Sequence, residues 1–383
     1  MINISSLNKG LVAHFRLAAD LQKVGSELHT DLNAANISSE TNATTGFSSS
    51  GCTLTSDASI YEVGIYSIKG IFTGSVGRFY KDILTDWSLT AGHTYRIRFW
   101  ARHIGSGGTI RISLGDGVLL NGVNIATLGS SDTTFVEYEY DFVAGASYAY
   151  FGAIEFSGTD DGGCYIDGLS CKPLLIADLT PYGNHPQNFG VTLDQADRKG
   201  LANGAGDFDG SGYLEYETLD LGLTDKWTVA WWMNMDSTAL QTFFSFTSVA
   251  GTSKIEFITN NTTREIFANL LGGTGDPNQC KTDNDVWSLS TWTRVMVTYS
   301  GAGTLVDVVD FYIDGVPVTN NLQNGSTIIA QANIVRDLNI GRQRGGGREI
   351  NGRLEEVKVW NRALSSAEAI VDANSYKSNL VVS

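Results

Sequence analysis

The chain has 383 residues, enough for two or three domains, and its 42% hydrophobic and 10% aromatic content supplies packed cores and excludes global disorder. A formal charge of −15 repels nucleic-acid phosphates, so no nucleic-acid partner is expected. With 43 glycines, 5 prolines and apolar runs rich in β-branched and aromatic residues, the composition favours short strands joined by turns, and an all-β class is expected.

In chain order, the opening Met1-Ile2-Asn3-Ile4-Ser5-Ser6 has no basic stretch followed by an apolar one, so no export signal is expected. No apolar run reaches the ~18 residues of a membrane span, so no membrane insertion is expected. The first clear strand is Gly92 to Arg102, where Tyr95, Ile97, Phe99 and Ala101 alternate with Arg96, Arg98 and Arg102, the period of a half-buried strand. Thr109–Leu114, Phe135–Phe142, Tyr148–Phe156 and Cys164–Cys171 follow at short spacing, separated by glycine, serine and aspartate clusters that end strands. The second half continues with Trp227–Met233, Lys254–Thr259, Glu265–Leu271, Thr291–Tyr299 and Val308–Ile313. Asp314-Gly315 then supplies a hairpin turn, and Pro317 places the returning strand at an edge or a strand end. One helix is expected, at the C-terminus, where Ser365 and Glu368 form a capping box ahead of Ile370 and Val371. Cys52, Cys164, Cys171 and Cys280 are scattered away from zinc-ligand spacing; Cys164 and Cys171 either pair or remain buried thiols.

Two distant segments resemble consecutive parts of one domain. Gly10 to Leu17 is similar to the opening strand of laminin-G-like jelly rolls of the concanavalin A-like superfamily, which is normally followed closely by a turn such as Ala177 to His185. The rest of that pattern runs in order through Gly200–Gly210, Tyr213–Tyr216, Trp227–Trp232, Phe311–Gly315, Leu338–Arg342 and Asn351–Ser365. Between the two segments, Gly64–Gly70, Leu89–Ala101 and Cys164–Ser170 resemble the strands of a carbohydrate-binding-module β-sandwich. The resemblance implies two antiparallel jelly-roll sandwiches: a discontinuous laminin-G-like domain at 1–23 and 174–383, and a module at 24–173 inserted after its first strand. Close chain ends in a sandwich permit such an insertion, and Leu11–Leu17 is then expected to pair near Glu355–Trp360.

Sugar rings stack their C–H faces on aromatic rings, which makes Phe79, Tyr80 and Trp87 candidates for a carbohydrate groove; packing into the core is the other reading. The module resemblance also implies a structural calcium held by Glu27 and Asp167, against which stands a pair of solvated strand-end carboxylates. Asp207 to Gly212 has calcium-loop spacing but carries Thr218 where the closing glutamate belongs, so a turn is expected there. No cofactor other than calcium is expected. The Glu-x-Asp-x-x-Glu strand of retaining glycosidases is absent, as are the Gly-x-Ser-x-Gly elbow, a phosphate loop and the His-Glu-x-x-His pair, so no enzyme is expected.

Paired modules of these kinds occur in bacteriophage tail and head appendages, in secreted adhesins and in glycanases. The resemblance therefore implies a non-enzymatic virion structural protein at the particle surface, binding host or environmental glycans, contacting other virion proteins and forming a homo-oligomer. The alternatives are an extracellular lectin, adhesin or accessory domain of a glycoside hydrolase, and a purely architectural virion protein.

Overall fold

The computed structural model describes residues 7–17, 22–24, 47–63, 66–73, 77–105, 107–117, 120–157, 162–223, 226–248, 253–260, 262–272, 278–301, 303–325, 327–328 and 336–375. The chain divides into two compact units, one of Met1–Lys23 with Leu175–Ser383 and one of Val24–Leu174. Both are antiparallel sandwiches, and the fold is all-β.

In the first unit, one sheet is centred on Asn351–Trp360 and Trp227–Met235. Asn351–Trp360 is shared by two strands along its length: Gly206–Asp209 pairs with its first half, and Leu11–Phe15 pairs with Val357–Trp360. The opening strand thus closes the sheet far from its sequence neighbours, on the segment where the laminin-G resemblance places it. Strand alternation sends Val229, Trp231, Met233, Val295, Val297 and Val359 into the core, each such side chain contributing roughly 1.5–3 kcal/mol on burial. Trp231 is in that core, whereas Trp232 faces the other way under the Arg198 guanidinium, 4.2 Å from its ring. The far face of this sheet is also covered: Leu7, Leu11, Ala230, Met296, Tyr312, Trp360 and Leu364 pack together with Ala369 of the C-terminal helix Ser366–Asn374. That helix has the expected capping box between Ser365 and Glu368. The turn at Asp314-Gly315 has φ of 52° and 80°, the left-handed pair that a two-residue hairpin demands, and Val316–Val318 returns at the sheet edge.

The second sheet of this unit runs in the order Gln187–Phe189, Tyr213–Leu219, Arg336–Ile340, Gln241–Thr247, Ser253–Thr259, Ile266–Gly272, Asn278–Lys281, Asn321–Asn324. Its inner face carries Leu214, Ile340, Phe244, Phe257, Ala268 and Cys280 in one row onto the core.

In the unit of Val24–Leu174, one sheet orders Val136–Val143, Thr94–Ile104, Gly163–Ile176, Ser67–Phe72 and Cys52–Asp57; Leu175 and Ile176 of its long strand already belong to the other unit. The opposing sheet orders Ser48–Ser50, Arg78–Asp82, Tyr150–Ser157, Thr109–Gly115 and Val123–Leu128. Tyr95, Ile97, Phe99 and Ala101 point into the core, and the alternating Arg96 and Arg98 point out to Asp141 and Glu137 at 2.8 and 2.5 Å. Cys164 and Cys171 are both buried in this core and are not joined in a disulfide.

Two one-turn helices, Ile83–Asp86 and Leu305–Val308, add to the single helix expected from sequence. Both are too short to show a helical period, and Asp82 caps the first by accepting from the Thr85 amide at 3.0 Å.

Candidate functional site

The outer face of the second sheet of the first unit carries an array of polar side chains. Directly paired residues on neighbouring strands point to the same face, so register decides what meets there. The pairings Gln187↔Glu215, Glu215↔Asn339, Asn339↔Ser245, Ser245↔Glu256, Glu256↔Asn269, Asn269↔Gln279 and Gln279↔Asn324 put one polar side chain from every strand into a single row. In the central strands that residue sits between two apolar ones: Asn339 between Leu338 and Ile340, Ser245 between Phe244 and Phe246, Glu256 between Ile255 and Phe257, Asn269 between Ala268 and Leu270.

The row is internally bonded. Gln279 Nε2 donates to Asn269 Oδ1 at 2.6 Å, Ser245 Oγ to Glu256 Oε1 at 3.2 Å, Arg342 Nε to Asn339 Oδ1 at 2.9 Å and Arg342 Nη2 to Glu215 Oε1 at 3.1 Å. Lys254 Nζ lies 2.7 Å from Glu256 Oε2, and Lys281 Nζ 2.5 Å from Glu265 Oε1. Burial pushes the Glu265 pKa up, but Lys281, Thr263 and Asn260 together hold it below the usual value. At one end of the row Phe189 and Tyr213 stack at 4.3 Å, with the Arg342 guanidinium 3.2 Å above the Tyr213 ring.

At the other end lies an open groove of about 460 Å³. Lys254, Asn260, Phe267, Asn269, Gln279, Gln343 and Arg348 are among the residues that line it. Arg348 and Gln343 are offered by a loop whose Gly345, Gly346 and Gly347 have φ of 83°, 95° and 88°, a left-handed run that no side-chain-bearing sequence adopts without strain. Among the described residues the Arg348 guanidinium has no hydrogen-bond or ion-pair partner, and neither has the buried Asn339 Nδ2. The groove therefore offers amide donors and acceptors, an available guanidinium and one aromatic edge.

The row itself carries two carboxylates, neither of them among the residues that line the groove. Glu215 and Glu256 stand three strands apart, roughly 14 Å at ~4.8 Å per strand, beyond the ~5–9.5 Å of glycosidase carboxylate pairs. Each also faces a cation.

The residues expected at a sugar groove from sequence lie elsewhere, in the other unit, and burial corrects two of them. Phe79 is fully buried and Trp87 is 3% exposed, both inside the core, so their ring faces meet protein. Tyr80 alone keeps part of its surface in water, 5.9 Å edge-to-face from Tyr150. Of the expected calcium pair, Glu27 lies outside the described residues. Asp167 accepts from the Glu62, Val63 and Gly168 amides at 2.6, 2.8 and 2.7 Å, so its carboxylate already pins the 62–63 loop to the sheet through hydrogen bonds. Among the described residues no group of three His, Cys, Asp or Glu side chains is placed to hold a metal ion. Asp207 to Asp209 ends a strand, and the bend after it, Gly210 to Gly212, is closed by the Ser211 and Gly212 amides donating to Asp209 at 2.9 and 3.1 Å, so only part of the expected turn is one.

Residues 208–369 match the laminin-G profile of the concanavalin A-like lectin/glucanases superfamily. The matched span contains most of the polar row and the whole groove. No curated protein matches the chain. Among solved structures, the SAP-like pentraxin of Limulus polyphemus is 19% identical over 44% of this chain and 80% of its own, with a TM-score of 0.33. The CBM40 of the Ruminococcus gnavus IT-sialidase, bound to α2,3 sialyllactose, is 14% identical over 42% of this chain and 98% of its own, with a TM-score of 0.32. Domain 4 of AbnA, a GH43 extracellular arabinanase from Geobacillus stearothermophilus in complex with arabinotriose, is 16% identical over 52% of this chain and 92% of its own, with a TM-score of 0.33.

Proposed function

We propose that this chain is a non-enzymatic glycan-binding protein and that the groove bounded by Asn269, Gln279 and Arg348 is its sugar site. The observation that carries this reading is the in-register polar row ending in that groove: paired amides present donor and acceptor side by side, the pattern that vicinal hydroxyls complement. Phe267 supplies apolar surface for a ring face, and the separated, cation-paired carboxylates favour binding over hydrolysis. The match of residues 208–369 to a lectin-containing superfamily is consistent with this chemistry.

A glycan array probed with the full chain and with the Asn269→Ala/Gln279→Ala variant tests it. Wild type is expected to retain a set of neutral glycans, and the variant to lose binding at least tenfold, because removing one partner leaves the other and the sugar hydroxyls unpaired. Unchanged melting of the variant would separate this loss from unfolding. Absence of any retained glycan, or equal binding by the variant, rejects the groove.

The finer reading, an oligomeric attachment component on a bacteriophage particle, is supported by the pairing of two sandwich modules described from sequence. It is tested by mass spectrometry of purified particles, where the chain is expected in stoichiometric amount; its absence from particles that infect normally would remove the virion role and leave the binding role standing.

A further inference from the structure

A second groove, of about 440 Å³, lies in the unit of Val24–Leu174 and is lined by Tyr61, Glu62, Arg102, Thr133, Thr134 and Phe135. Its charge arrangement differs from that of the amide groove. Strand register sets Arg102 directly beside Tyr165, and Tyr165 beside Lys69, so a cation flanks the tyrosine on each side. The Arg102 guanidinium rests in the notch between Tyr165 and Phe135, 5.0 and 5.6 Å from ring centroids that are themselves 6.2 Å apart and tilted by 55°. Stacking of this kind fixes the plane of the guanidinium without using its N–H donors.

Among the described residues Arg102 has no hydrogen-bond or ion-pair partner, and its Nε is buried. The neighbouring acids are engaged elsewhere: Asp57 takes Ser59, the Tyr165 hydroxyl at 2.9 Å and Lys69 at 3.5 Å, Asp167 takes three amides, and Asp132 takes the Gly129 amide at 2.7 Å. Glu62, on the exposed rim, is the one lining carboxylate, and its backbone is tethered by Asp167. In a chain of net charge −15, a positioned arginine kept apart from the acids beside it is a site for an external anion.

We infer that this groove is a second binding site, which takes the carboxylate of an acidic saccharide on the Arg102 fork. The planar guanidinium matches a carboxylate in bidentate geometry, the exposed Thr133 and Thr134 hydroxyls and the rim ring of Tyr61 serve the sugar ring, and Glu62 sets a repulsive limit on affinity. The inference rests on the glycan-binding reading only for the saccharide class; the anion site stands on its own residues.

The test is calorimetric titration of the full chain with sodium D-glucuronate and, as its neutral twin, D-glucose. Glucuronate is expected to bind at least tenfold more tightly than glucose, and to weaken as salt is raised. Arg102→Lys, which keeps the charge and loses the fork, should weaken glucuronate about tenfold, whereas Glu62→Gln should tighten it severalfold. Equal affinity for the two sugars, or unchanged glucuronate binding in Arg102→Lys, overturns the inference. The Asn269→Ala/Gln279→Ala chain should bind glucuronate as wild type does; loss there with retention in Arg102→Lys would assign the acid to the other groove and also overturn it.

Discussion

Asp372→Ala is expected to destabilise the first unit by about 3–5 kcal/mol, lowering its melting midpoint by on the order of 10 °C. Asp372 projects from the C-terminal helix into the covered face of the sheet, where it is fully buried and accepts from Arg294 Nε at 2.8 Å, Arg294 Nη2 at 2.5 Å and Lys358 Nζ at 3.0 Å. Lys358 also lies 2.9 Å from Glu356, so two buried cations face two buried carboxylates. Burial by itself would raise the Asp372 pKa; the two cations prevail and hold it at about 2. Alanine leaves two cations and one carboxylate out of water, which is why the cost exceeds that of a lost contact. Arg294→Met combined with Asp372→Leu should lose less than the sum of the single changes, because neither charge is then stranded. Asp141→Ala, which opens an exposed pair with Arg96, should cost no more than ~1 kcal/mol, and calorimetric melts of these variants give the comparison. An Asp372→Ala protein melting with wild type would show that the helix does not rely on this network.

Local features of the fold were legible in the sequence where one strand or one turn determines the outcome. The alternation of Tyr95, Ile97, Phe99 and Ala101, the Asp314-Gly315 turn and the Ser365 to Glu368 capping box each declare themselves within a dozen residues. The site was not legible in that way. Every strand contributes one polar residue, but only the inter-strand register reveals that Asn339, Ser245, Glu256, Asn269 and Gln279 meet in one row. Of the two readings of Phe79, the groove gave way to the core for a related reason. On Arg78–Asp82 the inward positions are Phe79 and Lys81, and Lys81 is buried at 1% exposure, 5.6 Å from the Phe47 ring and 3.7 Å from Asp86. A buried lysine inverts the usual sense of polar as outward, so the strand's composition does not reveal which face is wet. Arg102 was visible as the last outward arginine of its strand, while its lack of a carboxylate follows from where Asp57 and Asp167 turn.

The acid response of the first unit is expected to hinge on His14. The imidazole is 1% exposed on the opening strand, and among the described residues neither ring nitrogen has a hydrogen-bond partner. Glu356 Oε2 is 3.9 Å from Nε2, too far for a hydrogen bond, and the same oxygen takes Lys358 at 2.9 Å. Burial first and Lys358 second push the His14 pKa down to about 3, so the folded protein keeps it neutral where the unfolded chain is protonated below about 6.5. The unfolded state therefore binds the extra proton, and stability present above pH 6.5 falls as the pH drops toward 3, by up to ~1.4 kcal/mol per pH unit. Glu355 acts in the opposite sense: burial raises its pKa to about 7, the folded state takes a proton between pH 7 and 4.5, and stability rises as the pH falls through that window. The two contributions offset one another, so wild type should vary little between pH 6.5 and 4.5. His14→Gln, which cannot take the proton, should gain stability on acidification across that range, and Glu355→Gln should lose it at close to one proton per unit. Asp372 enters only below about pH 4, where protonation of the unfolded carboxyl begins to remove its contribution, which is gone below pH 2. Urea unfolding of the three proteins at pH 6.5, 5.5 and 4.5 measures these slopes. If His14→Gln follows the wild-type curve at all three, the buried imidazole carries its proton in the folded state and adds a third cation to Arg294 and Lys358 beside Glu356 and Asp372.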